Sequence, residues 1–158
     1  DHYDPKANVL RLSQSVYGAQ TAAAVGVAAH EAGHAVQYAQ NYFPVKVRSA
    51  IIPVTNLAST AAFPIFLLGI VFSFSTLAYI GVILFASVVF QLVTLPVEFN
   101  ASSRAVKALA DSGMSEDGVK AARKVLTAAA LTYVAALASA IGNFLRLLSI
   151  AKRNDRNR

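Results

Sequence analysis

His30-Glu31-Ala32-Gly33-His34 sets two of the chain's three histidines four residues apart, with a carboxylate directly after the first. On a helix, positions i and i+4 lie one turn apart on the same face, so two imidazoles there can grip one divalent ion. Zinc suits such a pair, binding neutral imidazole nitrogen at roughly 2.0–2.1 Å in a tetrahedral shell. Glu31 falls close to that ion without being forced to ligate it. It can take a proton from an activated water and deliver it to a leaving amine, the division of labour of the H-E-x-x-H metallopeptidases. The plainer explanation is three structural polar residues on a buried helix. It is costly, because such groups on an Ala/Val/Gly surface must be paired or metal-bound to be buried.

A catalytic zinc needs a third protein ligand and an open position. The chain has no cysteine, which excludes thiolate ligands and disulfides. His2 is the only other histidine, and no Asp or Glu occurs from residue 32 to residue 97. Glu98, in LPVEFNASSRA, is the first carboxylate after the motif. Read alone, it is a carboxylate at a helix start, favoured by the helix dipole. Read with His30 and His34, it is the third ligand.

The elements that must position these residues are unusual. Apolar residues make up 56% of the 158, and charged residues only 14%, well below the roughly 25% of soluble domains. That balance indicates a membrane protein. The sequence pI of about 9.8 does not indicate nucleic acid, since the basic residues gather at the ends of apolar runs, as they do beside membrane spans. The length allows one domain. The chain begins at Asp1 in a polar stretch, and an N-terminal anchor segment preceding it is expected.

Asp4-Pro5 signals a turn, and Val9 to Leu12 reads as a short strand. Thr21 caps a helix running to about Gln40, whose small residues imply close packing. Asn41 to Arg48 reads as a connector. Ser49 to Val97 contains no charged residue, enough for two spans, Leu57 to Phe74 and Leu77 to Leu95. Pro64 can kink the first, and FSFST turns between them. Glu98 to Lys124 reads as a helix, a turn at Ser112-Gly113 and a new helix started by Ser115 with Glu116 and Asp117. A third apolar run covers Val125 to Leu145, followed by a tail expected to fray. The fold expected is mainly α: an integral membrane helical bundle with a zincin-type active-site helix and a short N-terminal strand.

Lys46 and Arg48 precede the hairpin of spans, and Arg104, Lys107, Lys120, Arg123 and Lys124 follow it. Both ends are therefore expected in the cytoplasm, which brings Glu98 back to the side of His30 and His34. The third run has basic residues on both sides. It either spans against the positive-inside rule or lies packed on the bundle; spanning is the reading adopted.

DHYDP, VAAHEAGHAVQ, TLPVEFNASSRA and VLTAAALTYVAA resemble segments of the YugP-like neutral zinc metallopeptidases of bacterial membranes, over nearly the whole chain. The layout is also similar to that of the HtpX-type membrane gluzincins, in which H-E-x-x-H and a ligand glutamate are separated by two spans. The resemblance implies that His30, His34 and Glu98 are zinc ligands and Glu31 the catalytic base. A protein or peptide substrate is expected from the peptidase chemistry, and the apolar hairpin beside the site helix makes a membrane protein one candidate. HtpX-type chains place an aspartate four residues after the ligand glutamate. Here Ser102 stands there, a weaker orienting group.

Peptide hydrolysis also needs a donor for the developing oxyanion. His2, Tyr3, Asn100, Arg104 and Tyr133 are all candidates, each with an ordinary structural alternative. The strand at Val9 to Leu12 could lie beside the site and accept an extended substrate as an added strand. The alternative function is a catalytically inactive membrane scaffold that keeps zinc for structure. An ion pathway would need polar residues along the spans, and Leu57 to Leu95 carries only Ser, Thr, Tyr and Gln91.

Overall fold

The computed structural model describes the backbone of residues 1–72 and 76–156, and the side chains of residues 1–57, 60, 64, 80, 83–146 and 149. The elements run β1 (His2–Asp4), β2 (Val9–Arg11), α1 (Gln14–Tyr17), α2 (Ala22–Ala39), α3 (Phe43–Phe72), α4 (Thr76–Asp111) and α5 (Glu116–Arg156). The chain is mainly helical, with one two-stranded antiparallel sheet. It divides into two compact units, Asp1–Lys46 with Thr94–Tyr133, and Val47–Val93 with Val134–Arg158.

The first unit holds the motif helix. Its N-terminal hairpin pairs His2 with Arg11, Tyr3 with Leu10 and Asp4 with Val9. Asp4 builds the turn by accepting the Lys6 and Ala7 amides at 3.0 and 3.2 Å, the local role that Asp side chains favour. Asn8, at φ 54°, closes it. The sequence reading anticipated β2 but not β1, because His-Tyr-Asp has no apolar alternation to mark a strand.

Thr21 Oγ1 accepts the Ala24 amide at 3.2 Å and so caps α2. At the other end Asn41 adopts φ 53°. Tyr42 N donates to Gln37 O at 2.9 Å and Asn41 N to Tyr38 O at 3.1 Å, a Schellman stop. The helix after it begins at Phe43, so the expected connector to Arg48 is shorter than anticipated. Pro44 falls in the first turn, where a missing N–H costs nothing and the fixed φ favours a helix.

Two glycines let α2 approach its neighbours. A Cβ at Gly33 would lie 2.7 Å from Ala101 O of α4, and one at Gly26 would lie 3.3 Å from the Cβ of Ala122 of α5. The partner positions are small and sealed, with Ala101, Ala105 and Ala122 all at 0% exposure. The three helices of this unit thus meet backbone to backbone.

Helix α4 continues unbroken through Pro96. Glu98 is therefore not at a helix start, and the dipole explanation for it falls. Pro96 removes one ladder hydrogen bond without ending the helix. The stop comes at Gly113 (φ 83°), where Met114 N reaches Leu109 O at 3.3 Å and Gly113 N reaches Ala110 O at 3.2 Å. Ser115 Oγ then accepts the Gly118 amide at 3.2 Å to open α5.

In the second unit α3 passes through Pro53 and Pro64 without interruption, helped by Thr55 Oγ1 and Thr60 Oγ1 bonding to carbonyls three and four residues back. Phe85 and Phe144 pack with ring centroids 5.8 Å apart. The FSFST turn lies outside the described residues at 73–75, and most side chains of the Leu57–Phe74 run are likewise outside them. The backbone of α5 runs on as helix to Arg156.

Among the described residues two helices are long and apolar enough to cross a membrane, Ile83–Asp111 and Glu116–Arg146. Only 17% and 11% of their apolar windows are buried. The core helix of a soluble protein would bury most of such a window. Large apolar faces left open, such as Leu92, Leu131 and Leu145 at 52–56% exposure, fit a lipid surround.

Candidate metal centre

His30 and His34, one turn apart on α2, and Glu98 of α4 converge inside the first unit. The His30 and His34 rings stack along the helix with centroids 4.7 Å apart, nearly perpendicular. Glu98 lies against both: its Oε2 is 3.2 Å from His30 Nε2 and 3.7 Å from His34 Nε2. One donor atom from each of the three lies within 4.8 Å of the other two. Glu98 is 2% exposed and His34 9%, so this is a sheltered cluster. Close approach of α2 to α4 at Gly33 and Ala101 is what brings Glu98 between the two rings.

The far side of each ring is held. His34 Nδ1 is 2.9 Å from Gln37 Oε1. Gln37, fully buried, is itself fixed by donating Nε2 to Val97 O at 2.8 Å and to Asn100 Oδ1 at 3.0 Å. Because both amide hydrogens are spent, its oxygen faces the imidazole, which places the proton on Nδ1 and leaves Nε2 with its lone pair. His30 Nδ1 is 3.1 Å from Ser102 Oγ, so the serine where an aspartate was anticipated does touch a ligand ring. Such outer contacts orient metal-binding histidines.

Desolvation is the largest influence on His34 and pulls its pKa down. Hydrogen bonds from Glu98 and Gln37 and the charges of Glu98 and Glu31 outweigh it, and the net shift is upward from 6.5. Two imidazole nitrogens and a carboxylate are a donor set for zinc. The residues present therefore fit the ion.

Glu31 stands apart from these three donors. Its Oε2 accepts the Tyr3 amide of β1 at 3.1 Å. Tyr3 opposes Leu10 in the hairpin, and because its N–H is given to Glu31, β1 is the strand bonded to the motif helix, with β2 also packed against it. Glu31, His30, Glu98, Ser102 and Tyr133 line one cavity of about 230 Å3. Of the five oxyanion candidates, Tyr133 alone has its side chain on that cavity. Asn100 and Arg104 are turned to a bridge between α2 and α4, with Arg104 Nε on Asn100 Oδ1 and Nη1 on Gln40 Oε1, both at 2.7 Å. The Tyr3 hydroxyl donates to Asn8 at 2.8 Å.

Residues 1–152 match the family model described as "Putative neutral zinc metallopeptidase". The chain belongs to this family. It is also 47% identical over 155 residues to the "Putative membrane protease YugP" of Bacillus subtilis (strain 168), covering 95% of this chain and 68% of that one. The resemblance noted in the sequence is thus borne out at the level of the family. No solved structure matches the chain significantly. Gln37 and the Tyr3 amide are the two site contacts that sequence reasoning missed. A lone amide one turn past His34 on an apolar face was a usable signal for the first; a backbone N–H leaves none.

Proposed function

We propose that the protein is a membrane-bound, multi-pass zinc metallopeptidase with its site on the cytoplasmic side and Glu31 as general base. The observation that carries the reading is the convergence of His30, His34 and Glu98, with one donor atom of each within 4.8 Å of the others, Glu98 Oε2 lying 3.2 and 3.7 Å from the two Nε2 atoms and both Nδ1 atoms held from behind. His30, His34 and Glu98 would hold the ion. Bound there, zinc supplies Lewis-acid chemistry, polarising a peptide carbonyl and making a nearby water more acidic.

The chain's own residues supply the rest. Glu31 takes the proton of the attacking water on a carboxylate oxygen and passes it to the leaving amine nitrogen. The Tyr3 amide holds that carboxylate on the cavity wall in the meantime. The Tyr133 side chain, on the same wall, is placed to donate to the oxygen that gains charge on the scissile carbonyl. The membrane assignment is supported by the two largely unburied apolar helices, and the cytoplasmic side by the basic residues flanking the uncharged stretch.

The test is metal analysis of the purified wild type and of Glu31→Gln, His34→Ala and Glu98→Ala, with casein cleavage assayed alongside. Glu31→Gln keeps zinc and loses cleavage. His34→Ala and Glu98→Ala lose both. Cleavage by Glu31→Gln at the wild-type rate would overturn the mechanism.

A further inference from the structure

A second cavity, of about 480 Å3, lies beside the first. Phe99, Ser102, Val106 and Lys107 line it from one face of α4, and Arg123 and Leu126 from α5. Ser102 and Leu126 also belong to the wall of the metal-site cavity, so the two spaces share the serine that touches His30. The floor is apolar, formed by Leu126 at 3% exposure, and Phe99 stands half-open at 46%. Lys107 and Arg123 stand farther along the helices. Neither makes an ion pair among the described residues: Asp111, one turn after Lys107 on α4, is beyond ion-pair distance of it, and Glu116 and Asp117 pair with Lys120.

Basic residues near a membrane ordinarily face lipid phosphate or water. These two line a trough that leads to the site, and a trough with an apolar floor and two cations free of ion pairs is complementary to a peptide carrying a carboxylate. We propose that it seats the substrate on one side of the scissile bond, with Lys107 and Arg123 selecting an acidic side chain there. The inference rests on the peptidase reading of the neighbouring site. Lys107 is nine residues past Glu98, roughly 13 Å along the axis at 1.5 Å per residue. An extended peptide covers roughly 3.3 Å per residue, which places the selected Asp or Glu about four residues from the bond that is cut.

The experiment uses the full chain in detergent micelles, zinc-loaded and carrying Glu31→Gln so that peptides stay intact. Fluorescein-labelled dodecapeptides with a single Glu walked along the sequence, and their Gln and Lys counterparts, are titrated by anisotropy at low and high salt. Glu peptides should bind at least about fivefold tighter than Gln peptides at one register and lose that advantage in high salt. The double reversal Lys107→Glu/Arg123→Glu should make Lys peptides the tighter binders with zinc content unchanged. If the double reversal loses zinc, Lys107→Gln/Arg123→Gln takes its place and must erase the preference. Equal binding of the three peptide sets overturns the proposal, as does a preference that the variants leave in place. So does a reversal that abolishes retention on phosphatidylglycerol vesicles but not peptide binding, which assigns the cations to lipid. Hydrolysis is scored separately with Glu31 restored. Charge selection without any cleavage would sink the peptidase reading while leaving the trough's preference intact.

Discussion

Gly33→Ala tests how the site is assembled without touching a ligand. The new Cβ would sit 2.7 Å from Ala101 O, 3.2 Å from Ala101 Cα and 3.3 Å from Ala101 C. All three are backbone atoms of α4, and Ala101 is fully buried, so no side chain can swing away. Relief requires α2 and α4 to separate by roughly half an ångström, and overpacking of this kind costs about 1–3 kcal/mol. Glu98 is on α4 and both histidines are on α2, so the same separation stretches the donor triangle. Metal sites tolerate about 0.2 Å, and a tenfold or greater loss of zinc affinity is expected, in the range of about 10–100-fold that disturbed supporting contacts produce. Thermal unfolding in detergent and zinc competition against a chelator read the two effects. Gly142→Ala is the control, because a Cβ there meets nothing within 4 Å, and helix propensity favours alanine by up to about 1 kcal/mol. A Gly33→Ala protein with wild-type melting temperature and zinc affinity would refute the reasoning.

Four further outcomes follow from the same contacts. Gln37→Leu should weaken zinc about 10–100-fold, and Ser102→Ala by less, because a hydroxyl is the weaker orienting partner; chelator competition ranks them. Zinc binding competes with protonation of His34, whose pKa is raised by its contacts with Glu98 and Gln37, so affinity should begin to fall with acid at a higher pH than for an ordinary histidine. In the metal-free protein the same shift contributes stability that is complete below pH 6.5 and lost as pH rises through the raised folded value, visible in melting curves against pH. Tyr3→Pro removes the amide that holds Glu31 while sparing the strand ladder, so it should lower cleavage with zinc retained, whereas Leu10→Pro, on the opposite edge of the hairpin, should not.

The parts of the fold written in local chemistry were legible in the sequence. Thr21, Ser115 and the Ser112-Gly113 turn bound helices as their side chains require, and the H-E-x-x-H spacing put two imidazoles on one face. Glu98 could be reached by elimination, since an uncharged stretch leaves few carboxylates to choose from. What was hidden depends on tertiary contact. Glu98 read as a helix-start carboxylate after a span ending at Leu95, but α4 runs through Pro96, because a packed helix tolerates one missing ladder bond. Asn100 and Arg104 looked catalytic by type, and their polar groups are used in bridging α2 to α4. The strand pairing of His2 to Asp4 has no periodic signal at all, yet it supplies the amide that holds Glu31.

The central claim is that His30, His34 and Glu98 together grip one zinc ion. X-ray absorption at the zinc edge of the purified protein tests it most directly, run beside Glu98→Ala. The account predicts one zinc per chain in a shell of two imidazole nitrogens and carboxylate or water oxygen at about 2.0–2.2 Å, with the metal lost or its shell changed in the variant. An unchanged shell at full occupancy in Glu98→Ala, or a wild-type shell without two imidazoles, would contradict it.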